Sequence, residues 1–254
     1  MRLKSRLPLL LSITLACGLL SCSKTEDFQT DLIEEYFPLA PGKYITYRLD
    51  SLVFVNFERD IETHRYQVKH LVDAEVQDNL GRPSYRIYRF IRDSAGLTDW
   101  VPNGTYYITP GEDEVEVIED NLRFVKLHMP IREGYSWEGN RYLPDNPYSS
   151  LYDFSNDRDM ETWEYYYDRF ESIFSHQGYD YSDVWTVEQQ DVASNIPVSD
   201  PGSFGFKSRA VDKYAKGIGP VYREYYLYEY QPNPSGVSPF YSGFGIQMWM
   251  IDHN

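Results

Sequence analysis

Cysteine is nearly absent: the chain has two, Cys17 and Cys22, both close to its start. Whatever domain the remaining residues form therefore has no disulfide and no thiolate metal site, and packing alone must hold it. Histidine is sparse as well, and its five copies show no His-Glu-x-x-His spacing. His64 and His70 stand six apart, too far along an extended strand to share an ion. No apolar run reaches the ~20 residues that a membrane-spanning helix needs. Positive charge is short, with 24 Lys and Arg against 39 Asp and Glu, a formal charge of −15. Such a surface is repelled by nucleic acid and by anionic bilayers. A nucleophilic hydrolase finds little support, since Gly134-Tyr135-Ser136-Trp137-Glu138-Gly139 has one residue too many for a Gly-x-Ser-x-Gly elbow. There is also no internal repeat and no coiled-coil heptad.

What the chain does have begins with its first residues. Arg2, Lys4 and Arg6 precede the apolar stretch Leu7 to Leu20, and Ser21 places a small residue directly before Cys22. This is the pattern of a bacterial lipoprotein signal, in which the cysteine thiol is acylated and the preceding residues are removed. Acylation at Cys17 would leave apolar Gly18-Leu19-Leu20 at the new start. Cys22 is followed instead by polar Ser23-Lys24-Thr25-Glu26-Asp27. The expected layout is a signal over 1–21, a lipid-anchored tether over 22–31 and one domain over 32–254.

The aromatic content is high, with 24 Tyr, 13 Phe and 5 Trp, and tyrosine suits sheets. Period-two patterning recurs along the whole chain. Ile45, Tyr47 and Leu49 share one face of a strand over 44–55. Tyr66, Val68, His70, Val72, Ala74 and Val76 alternate with polar residues, and 84–92 returns as the hairpin partner. Further strands are expected at 105–109, 114–118 and 122–129, followed by a long loop over 140–159. Met160, Trp163, Tyr167, Phe170 and Phe174 fall at helical spacing, but the aromatic run within them favours a hairpin with 181–189. After a loop over 191–205 comes a strand from Lys207 to Tyr214. In the next strand Val221, Arg223, Tyr225 and Leu227 face one way and Tyr222, Glu224, Tyr226 and Tyr228 the other. Pro220 marks an edge or a bulge. The last strand alternates Phe244, Ile246, Met248 and Met250.

Three segments carry a resemblance: Tyr36-Phe37-Pro38-Leu39 with Gly42-Lys43-Tyr44, the Pro130–Gly134–Trp137 spacing, and Tyr214-Ala215-Lys216-Gly217-Ile218-Gly219. Together they resemble small outer-membrane lipoproteins of the Bacteroidota type, from which Pro220 departs where an aliphatic residue is usual. The resemblance implies an all-β fold, a strongly bent antiparallel sheet or incomplete barrel of lipocalin-like or lipoprotein-carrier-like shape. Ser23 to Asp27 also resembles the short signal that sends such lipoproteins to the cell surface, although Thr25 interrupts it. The expected location is the outer membrane, with the surface favoured over the periplasm.

The resulting expectation is a non-enzymatic binding or assembly component, with a glycan, a lipid or an envelope protein as partner and no nucleic acid. The alternatives are a glycan hydrolase using dispersed carboxylates and a carrier of an acyl chain. Tyr222, Tyr226 and Tyr228, with Glu224 among them, are the candidate ligand-stacking row. No cofactor is expected. Asp153, Asp157, Asp159 and Glu161 are the candidate metal ligands, for calcium, although Thr162 stands where an EF-hand loop needs glycine.

Overall fold

Alternating apolar and polar residues, broken by Gly, Asn and Asp turns, produce a single continuous antiparallel sheet of twelve strands. The structure is a computed structural model describing residues 31–232 and 238–254. The expected signal, Cys22 and the tether up to Thr30 lie outside the described residues. Asp31–Asn254 forms one compact unit. A short helix, α1 (Ile33–Tyr36), precedes β1 (Tyr44–Val55), β2 (Asp60–Gln77), β3 (Pro83–Asp93), β4 (Val101–Pro110), β5 (Glu114–Glu119) and β6 (Leu122–His128). Then follow β7 (Ser136–Glu138), β8 (Glu164–His176), β9 (Tyr179–Ser194), β10 (Gly205–Ala215), β11 (Gly219–Gln231) and β12 (Phe240–His253).

The sheet order is β6-β5-β4-β3-β2-β1-β12-β11-β10-β9-β8-β7, so β1 pairs with β12 at its middle and the two outermost strands approach each other. The sheet nearly closes into a barrel with one unsealed seam. Side chains and single backbone bonds stitch that seam where no ladder does. The Val125 N–H donates to Gly139 O at 2.7 Å, and Trp137 Nε1 donates to Val125 O at 2.8 Å. The Tyr167 hydroxyl donates to His128 O and accepts from His128 N–H.

Register decides which residues enter the barrel. Tyr47 lies opposite Met250 and Val68, Leu49 opposite Met248, and Arg223 opposite Met248 and Asp212. The expected faces of β1, β11 and β12 are therefore those observed. In β2 the alternation holds only to Val72. A bulge between Val72 and Ala74 flips the faces, so Ala74 and Val76 leave the inner side. Val68 and Val72 are buried, whereas Lys69 and Asp73, among the polar residues that alternate with them, are half-buried. Lys69 Nζ sits over the Tyr44 and Trp100 rings, and Asp73 is ion-paired with Arg86.

Met160 to Phe174 forms no α-helix. Only Met160–Thr162 makes a 3-10 turn, and the hairpin β8–β9 follows. The expected loop at 191 begins later, because β9 runs to Ser194. Pro220 sits at a bulge: Tyr214 faces Pro220 and Lys213 faces Tyr222, leaving Val221 without an opposite residue. The β11 strand is interior to the sheet, so the edge alternative does not apply.

Candidate functional site

The inner faces are mostly apolar, and at one level strands from both halves of the sheet bring several ionised groups together. Asp212 on β10 is 1% exposed and accepts four hydrogen bonds. The donors are Arg223 Nε at 2.8 Å, Lys126 Nζ at 3.0 Å, Gln189 Nε2 at 2.6 Å and the Tyr214 hydroxyl at 3.4 Å. Glu119 on β5 pairs with Arg89 on β3 and stands 3.5 Å from Arg223 Nη1. Lys126 comes from β6, where it continues the inward row of Leu122 and Phe124 and sits at a bulge opposite Val115 and Glu116. This network links β3, β5, β6, β9, β10 and β11 and so crosses the seam.

Burial alone would raise the Asp212 carboxyl, but the charges of Arg223 and Lys126 overcome it and hold the group well below the usual carboxylate range. Glu119 follows the same logic: burial pushes up, Arg223 and Arg89 pull further down. Burial lowers Lys126, while Asp212 opposes the shift. His70 lies beside this level, its Nδ1 3.0 Å from the Tyr106 hydroxyl. Burial pushes its pKa down to about 3, so the ring is neutral at physiological pH.

Above the network opens a cavity of about 220 Å³. Its floor is Arg89, Glu119, Lys126, Asp212 and Arg223, and its walls are Leu122, Phe124, Tyr225, Phe244 and Ile246. The roof is the loop joining β7 to the 3-10 turn, which places Tyr148, Leu151 and Tyr152 over the mouth. Tyr148 and Tyr152 meet the Phe244 ring at 5.1 and 5.4 Å, and the Tyr148 and Tyr225 hydroxyls share a hydrogen bond of 3.0 Å. The loop is pinned at its base. Ser155 N–H and Oγ donate to buried Glu229, Asn156 Nδ2 donates to Lys207 O, and Asn140 Nδ2 donates to Met160 O. The opposite end of the barrel is plugged by α1 and Phe37 to Leu39, which leave an apolar void of about 40 Å³.

The sequence-derived candidates lie elsewhere. Tyr222, Tyr226 and Tyr228 share the outer face of β11, but their neighbours cover them. Tyr222 is 7% exposed against Phe174, His176 and Trp249, and Tyr228 is 6% exposed against Phe54 and Tyr241. Tyr226 is half-buried, with Lys207 Nζ 4.4 Å from its ring. That ring lies over Gly245, where a Cβ would stand 2.2 Å from Tyr226 Cδ1. Glu224 stands 3.6 Å from Arg209.

The four loop acids are not brought together. Asp157 is buried and accepts the Tyr148 N–H at 3.0 Å, which shapes the roof, whereas Asp153 and Asp159 are exposed. Among the described residues no three His, Asp or Glu side chains are placed to hold a metal ion. The floor residues escaped the sequence reading, although a signal was present. Arg223 alternates with Val221, Tyr225 and Leu227, Asp212 with Ala210 and Tyr214, and Lys126 with Leu122 and Phe124. A charge on the apolar face of a strand is costly unless partnered, and several such faces imply a shared interior site.

No family model and no curated protein matches the chain. Among solved structures, the crystal structure of a putative exported protein with YmcC-like fold from Bacteroides fragilis aligns with 85% of this chain and 96% of that one. Its identity is 10% and its TM-score 0.43.

Proposed function

We propose that this chain is a non-enzymatic, lipid-anchored protein of the outer membrane that binds a small ligand in the roofed end of its barrel. The observation that carries this reading is the 220 Å³ cavity with an ionised floor, ring-lined walls and a loop for a roof. Convergent polar groups beneath apolar walls are the usual make-up of a ligand pocket. The anchor rests on Leu19-Leu20-Ser21-Cys22 and on the resemblance to Bacteroidota lipoproteins.

Hydrolysis fits less well. A glycosidase needs one carboxyl held protonated as the acid, and Asp212 and Glu119 are both pulled toward the ionised form. An acyl carrier fits less well too, because a chain entering the cavity would meet Arg223, Asp212 and Lys126 at its floor. The outer tyrosines supply less open surface than the cavity, two of the three rings being covered.

The test is thermal melting of the full-length protein in detergent against a panel of small saccharides and organic acids. A bound ligand raises the melting temperature, and the rise disappears in Ile246→Trp, which fills the cavity. A rise that survives the filled cavity places the ligand elsewhere and defeats the proposal. For the anchor, Cys22→Ala releases the protein from the membrane fraction. Retention of that variant after a high-pH wash contradicts lipidation at this position.

A further inference from the structure

We infer that the ligand carries a single carboxylate on a six-membered ring and that Arg223 receives that carboxylate. The inference rests on the ligand-binding reading above and adds the chemistry of what is bound. The first ground is charge. Arg89, Lys126 and Arg223 bring three positive charges to the cavity floor, and Asp212 and Glu119 return two negative ones. Asp120 sits at the rim, 68% exposed, and reaches only Arg89 at 3.5 Å, so solvent screens it. Glu224 borders the cavity but lies on the outer face of β11, beside Arg209. One positive charge is left over inside a protein whose total is −15.

The second ground is donor capacity. Asp212 is fully engaged, but Arg223 is not. Its Nε bonds Asp212, its Nη1 makes only the 3.5 Å approach to Glu119, and its Nη2 has no protein acceptor among the described residues. Arg223 lines the cavity, and a guanidinium with an unused donor there is suited to a planar carboxylate. Arg89 stays at the wall. It lies against Gly104, whose φ is +116° and where a Cβ would come within 2.7 Å of Nη2. Arg89 supplies charge there and holds Glu119.

The third ground is shape. The cavity holds the volume of about seven waters at ~30 Å³ each. Tyr148 and Tyr152 pack against Phe244, and the three rings line the cavity above the charged floor with aromatic carbon. One leftover charge suits a carboxylate better than a phosphate monoester, which brings about −1.5 to −2 at pH 7.

The test uses the full-length protein in detergent at low ionic strength. Two pairs of probes are compared by melting temperature and by titration: glucuronate against glucose, and benzoate against benzamide. Inorganic phosphate is the third arm. At least one acid is expected to bind tenfold or more tightly than its neutral partner, and the two pairs separate a sugar ring from an aromatic one. Arg223→Lys keeps the charge but loses the planar fork, and weakens binding of the acid about tenfold or more. Because Arg223 is part of a buried network, Leu122→Glu provides the independent check. It sets a carboxylate on the cavity wall and abolishes the response to the acid, and a cooperative melt shows that the variant is folded. Equal binding of acid and neutral partner overturns the carboxylate while leaving cavity binding intact. Phosphate matching the acids overturns the ring requirement, and silence from every probe overturns both the inference and the reading beneath it.

Discussion

The two ends of the barrel are closed in different ways. At one end α1 and the segment after it are built in by backbone bonds and apolar contact. Gly217 N–H donates to Glu35 O at 2.6 Å, Gly42 N–H to Val72 O at 2.8 Å, and Val72 N–H to Lys43 O at 2.8 Å. Ile33 and Tyr36 are 2% and 1% exposed, and Lys216 bridges Asp31 and Glu35. At the other end the roof spans a cavity above ionised groups, and one hydroxyl pair ties its tip to β11. A closure meant only for stability would resemble the first end. Ions left beneath a roof with space between them are what the proposed ligand site would need.

The comparison can be broken at its strongest point first. Asp212→Ala removes the carboxylate shared by Arg223 and Lys126 and leaves both cations buried without it. The expected loss is about 3–5 kcal/mol, read as a large drop in melting temperature. A loss below 1 kcal/mol would show that the network is solvated and not interior. At the plugged end, Ile33→Ala is expected to cost about 2–4 kcal/mol through the cavity it leaves. It should leave ligand response at the roofed end unchanged, since the two ends share no covering residue. If the response falls as well, the ends are coupled and the distinction fails.

A smaller effect concerns pH. The folded-state pKa of His70 lies near 3 and its ordinary value is 6.5. As pH falls through 6.5 the unfolded chain takes up a proton that the native His70 refuses. Stability therefore drops between about pH 6.5 and 3, by up to ~1.4 kcal/mol per pH unit. Asp212 and Glu119, both lowered, add to the loss only nearer the carboxylate range. In His70→Asn the slope above pH 5 should flatten by one proton. An unchanged slope there would mean that His70 is not buried neutral.

Much of the fold could be read from the sequence because the sheet obeys period two. The inner row Val221, Arg223, Tyr225 and Leu227 and the row Phe244 to Met250 follow directly from alternation. What could not be read came from two sources. The bulges at Asp73 and Lys126 change the face of the residues that follow them, Ala74 and Leu127, without a residue type that announces it. The cavity floor gathers residues 89, 119, 126, 212 and 223, whose meeting depends on the two halves of the sheet curling toward each other. The outer tyrosines show the converse. Their shared face was legible, but their covering by Phe54, Phe174, Tyr241 and Trp249 depends on neighbouring strands and on the β8–β9 hairpin.

The smallest effect is at the roof. Tyr148→Phe removes the bond to the Tyr225 hydroxyl and is expected to cost about 0.5–1.5 kcal/mol. It should speed proteolysis of the roof loop while leaving the plugged end as resistant as before. Equal sensitivity at both ends would mean that the hydroxyl pair does not hold the roof.

Hydrogen exchange of the full-length protein, with and without the acid probe that raises its melting temperature, tests ligand binding beneath the roof most directly. The expected result is slower exchange across Tyr148 to Tyr152 and the adjoining part of β11, with no change from Ile33 to Leu39. Protection confined to the plugged end, or to the outer strands around Tyr226, would contradict a ligand site beneath the roof.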